Sequence, residues 1–255
     1  METLGIDIGG TSLKAVYFDG KHLKSFFLPT PKNKIAFVAA LSDLVLACDK
    51  QIDHVGFGIP GQVNQKTVRA RRVKKLPYLV DVNFKKLVRD LLPGRKAVVH
   101  IDNDVNCHLN AELKLGDASK YKTVAMIAIG TGIGGAIAFG GQLYRGYKGS
   151  AGEIGHIILE RGKTFEQLAS AAAIKKYNSK EIKRAAYYTG LACATVANIL
   201  NPEAIILSGG VVHFNAVHSE AAKIMRQHTV SGAWKTKLVV SKMGEYGGAI
   251  GAAWL

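Results

Sequence analysis

The sequence predicts an α/β protein built as two lobes of related topology, and three observations carry that expectation. Short apolar runs of strand length alternate along the chain with longer stretches in which apolar residues recur at helical spacing. A unit of strand, glycine-rich turn and strand occurs twice, as LGIDIGGTSLKAVYF at residues 4–18 and as AMIAIGTGIGGAIAF at residues 125–139. No apolar run approaches the roughly 20 residues needed to span a bilayer.

The first lobe opens with a strand at residues 4–8 that ends in Asp7-Ile-Gly-Gly-Thr11, a second strand at 14–18, and a hairpin turn at Asp19-Gly20. Apolar residues at 35, 38, 41, 45 and 48 predict a helix over 34–48. A strand at 54–59 runs into Gly58-Ile-Pro-Gly61, which places that loop at a sheet edge. Residues 83–92 form a helix stopped by Pro93-Gly94, and 97–101 a buried strand that ends in Asp102-Asn-Asp-Val-Asn106. Polar residues directly after a buried strand sit where open α/β sheets bind ligands. A helix over 105–115 follows, capped by that cluster and ended by Gly116.

The second lobe carries the stretch on which the chemistry centres, VAMIAIGTGIGGAIAFGGQLYRGYKGSAGEIGH at residues 124–156. Its apolar start breaks into Gly130, Thr131, Gly132, Gly134 and Gly135 before an apolar strand resumes. Bare amides in such a turn surround a phosphate, because glycine accepts positive φ and lets an anion approach without a Cβ in the way. Glu153 and His156 stand three residues apart between glycines, spaced to face a small polar ligand. Helices are expected over 165–176 and 181–200, the latter ended by Pro202. A strand at 204–207 leads into Ser208-Gly-Gly210, a helix spans 216–227, a strand 238–240, and a small-residue helix 247–255 closes the chain.

Composition narrows the function classes. With 255 residues, 48% of them hydrophobic, the chain buries a large core, and the absence of a basic start and apolar centre in its first ten residues argues against a secretion signal, so the expected location is cytoplasmic. Cys48, Cys107 and Cys193 form no CxxC pair and read as free thiols. A net charge of +15 attracts polyanions, and basic residues are densest at 66–75, where alternation with Val68, Ala70 and Val73 predicts an extended surface segment. DNA binding by such a surface alone is non-specific and salt-sensitive.

Taken in order, DIGGT, GIPG, NDVN, GTGIGG, GEIGH and SGG span nearly the whole chain, and as an ordered set the sequence resembles the ROK family of sugar kinases and sugar-responsive repressors. The resemblance implies a two-lobed actin-like ATPase fold on ribonuclease-H-like sheets, with residues 1–115 in one lobe and 116–255 in the other, and a last helix free to pack back on the first. It implies that ATP and a hexose meet in the cleft, with Asp104 as catalytic base, and Asn103, Gly61, Glu153, His156 and Glu166 at the sugar. Gly9, Gly10, Thr11 and Lys14 match one phosphate hairpin, Thr131 and Gly132 the other, and Gly209 and Gly210 the adenosine region. Asp7 is expected to orient Mg²⁺ or its water. The resemblance also implies a homodimer.

One departure from the family pattern is plain. Most members place a CxCGxxGC zinc site just after GEIGH, whereas residues 157–165 hold no cysteine, so no structural zinc is expected and His156 is left for the sugar. The reading is therefore ATP-dependent phosphorylation of a hexose or N-acetylhexosamine. Two alternatives stay open at this stage: a polyphosphate-dependent glucokinase, which the basic 66–75 segment would suit, and a catalytically weak sugar-binding protein. A repressor of this family carries a winged helix ahead of DIGGT, which here begins at Asp7. A type III pantothenate kinase should show neither GEIGH nor GTGIGG. Duller roles compete for single residues: Asp102 and Asp104 as helix caps, Asp7 as the cap of its own turn. An aspartate near its ordinary pKa of about 3.9 suffices as base, since the transition state demands little basicity.

Overall fold

The computed structural model describes residues 1–48, 52–73, 75–174 and 176–255. The chain divides into two compact units, one comprising Met1–Lys114 with Met243–Leu255, the other Leu115–Lys242.

In the first unit, β1 (Thr3–Ile8), β2 (Ser12–Phe18) and β3 (Leu23–Pro29) form an antiparallel meander, followed by α1 (Lys34–Ala47) and β4 (His54–Ile59). A small hairpin of β5 (Gln62–Asn64) and β6 (Arg69–Arg72) comes next, then α2 (Phe84–Leu91), β7 (Val98–Asn103) and α3 (Asp104–Leu115). The five-stranded sheet has the order β3-β2-β1-β4-β7, with β1, β4 and β7 parallel. Side-chain caps start two of these helices: Asn33 accepts from the Ala36 amide and Asn83 from the Lys86 amide. The core runs from Leu4, Ile6 and Ile8 through Phe37, Leu41, Phe57 and Phe84.

The second unit repeats this topology. β8 (Val124–Ile129), β9 (Ile133–Phe139) and β10 (Gln142–Tyr144) are an antiparallel meander, and a short hairpin of β11 (Ile158–Glu160) and β12 (Lys163–Thr164) leads into α4 (Phe165–Ala169). α5 (Ser179–Leu200), β13 (Ala204–Ser208), α6 (Asn215–His228) and β14 (Lys237–Val240) complete it. The sheet order is β10-β9-β8-β13-β14, with β8, β13 and β14 parallel. The two glycine hairpins of the sequence thus occupy equivalent places, β1–β2 in one sheet and β8–β9 in the other. Ile127, Ile129, Phe165, Val196, Ile205 and Val217 lie in the second core.

The final helix, α7 (Gly247–Ala253), packs on β1 and β4 of the first unit. Its approach requires glycine beneath it, since a Cβ on Gly5 would stand 2.0 Å from the Ala249 carbonyl oxygen and one on Gly56 1.8 Å from that of Ala252.

Several expectations need correction. β3, β10, β11 and β12 have no counterpart in the sequence reading, because each is short or exposed and lacks a continuous apolar run. The helix expected over 165–176 ends at Ala169: Ser170 turns to an extended backbone, its hydroxyl accepts from the Ala173 amide, and the Ala171 amide is drawn to the Gly130 carbonyl at 2.9 Å. In the basic segment Val68, Ala70 and Val73 are buried while Arg71 and Arg72 are exposed on β6; Lys74 lies outside the described residues. Among the described residues no helix is long and apolar enough to cross a membrane.

Candidate functional site

The carboxyl end of β7 passes directly into α3, and this junction positions three consecutive polar residues. Asp102 is the last buried one, 1% exposed. Its Oδ1 accepts from the Asn103 amide at 2.8 Å and from Asn106 Nδ2 at 2.9 Å, and its Oδ2 accepts from Gln65 Nε2 at 2.9 Å. Asp102 is therefore a buried anchor of the strand end and not the helix cap. The cap is Asn103, whose Oδ1 accepts from the amides of Val105 at 2.9 Å and Asn106 at 3.3 Å, while its Nδ2 donates to the Gly61 carbonyl at 3.2 Å. Gly61 holds φ +133°, a left-handed backbone, and a Cβ there would collide with the Arg72 carbonyl at 2.0 Å.

Asp104 follows as the first residue of α3. It is partly exposed, and its Oδ1 accepts from the Val105 amide at 3.0 Å. Burial holds its pKa above the ordinary carboxylate range, against hydrogen bonds from Val105 and Asn103 and the attraction of Lys75. Asp7, at the end of β1, is pushed up to about 7, first by burial and then by the nearby Asp104 carboxylate, with Lys14 opposing. The expectation of aspartates near their ordinary pKa is thus corrected, because both stand in surroundings that penalise the charged form. Asp7 faces Lys14 across the β1–β2 register, and Lys14 Nζ lies 3.3 Å from Glu245 Oε2. The Asp7 carboxylate is packed against Gly248, where a Cβ would stand 2.6 Å from Oδ2. Two neighbouring carboxylates whose like charges repel one another fit a divalent cation such as Mg²⁺.

At the β1–β2 tip, the Gly9 amide donates to the Ser12 carbonyl at 2.9 Å, Thr30 Oγ1 donates to the Gly9 carbonyl at 2.7 Å, and Gly10 and Thr11 are exposed. The β8–β9 tip is closed by the Gly130 amide on the Gly132 carbonyl at 2.9 Å, with Thr131 exposed. Gly9, Gly10, Gly130 and Gly132 all keep negative or extended φ, so the expectation of left-handed backbone at these tips is corrected. What requires glycine at 132 is close approach: a Cβ there would stand 2.5 Å from Glu166 Oε2. That oxygen accepts from the Ile133 amide at 2.7 Å.

Glu153 precedes and His156 ends a 3₁₀ turn, Ile154–His156, whose buried Ile154 and Gly155 seat it on β9. Their side chains project outward, 56% and 59% exposed, with Nε2 and Oε2 3.8 Å apart. α4 presents Glu166 after a capping box in which Thr164 and Gln167 exchange hydrogen bonds. The cysteine-free stretch after GEIGH is the β11–β12 hairpin. Gly209, at φ +93°, turns the chain out of β13 into a 3₁₀ turn over Gly210–His213, and the space around Gly210 is open.

The structure thus brings Asp7, Gly9, Gly10, Thr11, Lys14, Gly61, Asn103 and Asp104 into the first unit. It brings Thr131, Gly132, Glu153, His156, Glu166, Gly209 and Gly210 into the second. Two supporting residues were missed, Gln65 and Asn106. The signal for Asn106 was its place four residues after Asp102; Gln65 carried none.

The sequence model of the ROK family matches residues 3–183 and 165–255. An N-acetyl-D-glucosamine kinase of Histophilus somni is 28% identical, over 98% of this chain and 97% of its own. A glucokinase of Halalkalibacterium halodurans is 26% identical, over 99% and 94%. The crystal structure of a ROK hexokinase from Thermus thermophilus superposes with a TM-score of 0.85 at 25% identity, covering 99% of this chain and 97% of that one.

Proposed function

The chain belongs to the ROK family, and from that membership we propose that it is a sugar kinase, transferring the γ-phosphoryl group of ATP to a hydroxyl of a hexose or N-acetylhexosamine. The observation that carries the assignment of its base is the placement of Asp104, partly exposed at the start of α3 with a pKa raised by burial. A carboxylate that holds a proton more readily than usual accepts one more readily from an attacking hydroxyl.

In the proposed step, the sugar oxygen passes its proton to the Asp104 carboxylate and forms a new bond to the γ-phosphorus. The bond from that phosphorus to the bridging oxygen breaks, and ADP departs with the electron pair. Asn103 and Gly61 in the first unit, and Glu153, His156 and Glu166 in the second, are assigned to the sugar hydroxyls. Their value is in fixing the acceptor, since positioning supplies much of the rate in phosphoryl transfer. Gly9, Gly10, Thr11 and Lys14, with Thr131 and Gly132, are assigned to the phosphates, and Gly209 and Gly210 to the adenosine. Mg²⁺, when bound, neutralises phosphate charge, and Asp7 is the residue that would hold it or its water.

A coupled assay of the purified protein against glucose, mannose, fructose, N-acetylglucosamine and N-acetylmannosamine, each with ATP and with polyphosphate, tests the reading. Turnover of at least one sugar with ATP is expected. Binding of a sugar without turnover by either donor would replace the kinase with a sugar-binding protein.

A further inference from the structure

The first unit holds an open cavity of about 670 Å³ whose lining, apart from Gln65, belongs to none of the roles above. Its making follows from the local sequence. Val88 on α2 and Leu92 just beyond its end are buried, four residues apart, and α2 turns Lys85, Lys86 and Arg89 outward. At the helix end the Arg95 amide closes a turn onto the Leu92 carbonyl at 3.2 Å, which returns Arg95 and Lys96 along the helix toward the start of β7. His100 and the neighbouring β7 backbone complete the wall.

Five lysine or arginine side chains therefore line one concavity, and among the described residues its lining contains no carboxylate. Asp90, outside the lining, partners Lys86 at 2.8 Å and Arg89 at 3.8 Å. Among the described residues no carboxylate lies within ion-pair distance of Lys85, Arg95 or Lys96. Like charges gathered this way repel one another, and an anion seated among them reverses the sign of that interaction. Among the described residues the lining also lacks Phe, Tyr and Trp, the side chains on which nucleic-acid bases stack, and its volume is that of a small ligand.

We propose that this cavity is a binding site for a compact oligophosphate, an anion with three or more closely spaced negative charges and no need of a base. The site is separate from the phosphate hairpins and does not depend on the kinase reading. His100 reports on it: burial lowers its pKa, and His54 and Lys85 lower it further, so an anion bound beside it drives the value back up.

The experiment measures binding of sodium tripolyphosphate to the full chain by calorimetry, at low and at physiological salt, and follows the His100 ring by NMR titration. Wild type is compared with K85A/R95A/K96A, three exposed positions outside the kinase machinery, and with K21A/K24A/K163A as a control for general charge. The expected result is binding that weakens at least tenfold in the cavity variant and stays within twofold in the control, an upward shift of the His100 titration, and unchanged sugar-kinase turnover. Equal binding by wild type and the cavity variant would place the anion at the hairpins or nowhere in particular, and would overturn the proposal. So would tighter binding of a single-stranded oligonucleotide of matched charge, which would make the surface a nucleic-acid contact.

Discussion

Glu166 Oε2 accepts a hydrogen bond from the Ile133 amide at 2.7 Å, so a carboxylate assigned to the sugar also holds the tip of the second glycine hairpin. The bond joins α4 to the β8–β9 turn, and glycine at 132 leaves the room for it. A charged acceptor on a backbone amide contributes about 1.5–3 kcal/mol. Glu166→Ala is therefore expected to raise the KM for ATP as well as for sugar, each by roughly 10- to 100-fold. Glu166→Gln keeps an acceptor oxygen and should restore most of the nucleotide term while leaving the sugar term impaired. If only the sugar KM changed in the alanine variant, the tie to the hairpin would have no part in nucleotide binding.

Removal of the base separates chemistry from binding. Asp104→Asn keeps the size and the local hydrogen bonds of the side chain but cannot take a proton. Turnover should fall by roughly 10²- to 10⁴-fold while sugar affinity stays within several-fold. Because burial raises the Asp104 pKa, wild-type kcat/KM should decline on the acid side at a pH above the ordinary carboxylate range. The neighbouring Asp7 titrates with it, so that limb belongs to the pair. Wild-type rates from the asparagine variant, measured in the coupled assay, would remove Asp104 from the role.

The elements that could be read from the chain are those whose burial is continuous. β1, β4, β8 and β13 are nearly all buried and appear in the sequence as apolar runs, and the repeat of strand, glycine turn and strand foretold two sheets of one topology. β7 corrects the expectation of a wholly buried strand: at the sheet edge it buries Val99, Ile101 and Asp102 and exposes Val98 and His100. β3 is exposed or half-buried throughout at a sheet edge, and its apolar run, Phe26-Phe27-Leu28, is too short to mark a strand. The end of α4 was illegible for a different reason: the residues after Ala169 are small and helix-compatible, and what breaks the helix is a hydrogen bond to Gly130, forty residues away in sequence. In the site, residue types and motif order gave the candidates. Which oxygen caps α3, and which carboxylate is buried beneath it, depended on a contact from Gln65 that no local pattern encodes.

The raised pKa of Asp7 makes a stability prediction with a definite sign. In the unfolded chain Asp7 loses its proton near 4, while in the folded chain it keeps it up to about 7. Between those values the folded state binds the extra proton, so stability contributed by this residue falls as pH rises through the window. Asp7→Asn removes that penalty and should stabilise the protein by on the order of 1–3 kcal/mol at pH 8, with little gain at pH 4. Activity should be lost at the same time, the usual exchange at a site that holds like charges together. Thermal unfolding of both proteins at the two pH values decides the matter, and an equal difference at each pH would contradict the assigned titration.

Asp102 is the group on which the geometry of the base rests, although it is too deeply buried to meet a substrate. Donors from Gln65, Asn106 and the Asn103 amide converge on its two oxygens. Asp102→Ala leaves those donors without their acceptor in a buried setting, which should cost on the order of 2–4 kcal/mol of stability. Asp102→Asn keeps the volume but turns an amide N–H₂ toward a donor, so it should also destabilise, by less. In both variants the β7–α3 junction loosens, and kcat should fall further than sugar affinity, since a displaced base impairs transfer more than grip. Gln65→Ala removes the bond that reaches Asp102 from the exposed side and should lower stability by about 1 kcal/mol with the smallest effect on kcat. Chemical denaturation and steady-state kinetics on the three variants give the ranking. If Gln65→Ala were as damaging as Asp102→Ala, the junction would be held chiefly from the β5–β6 side and not by the carboxylate itself.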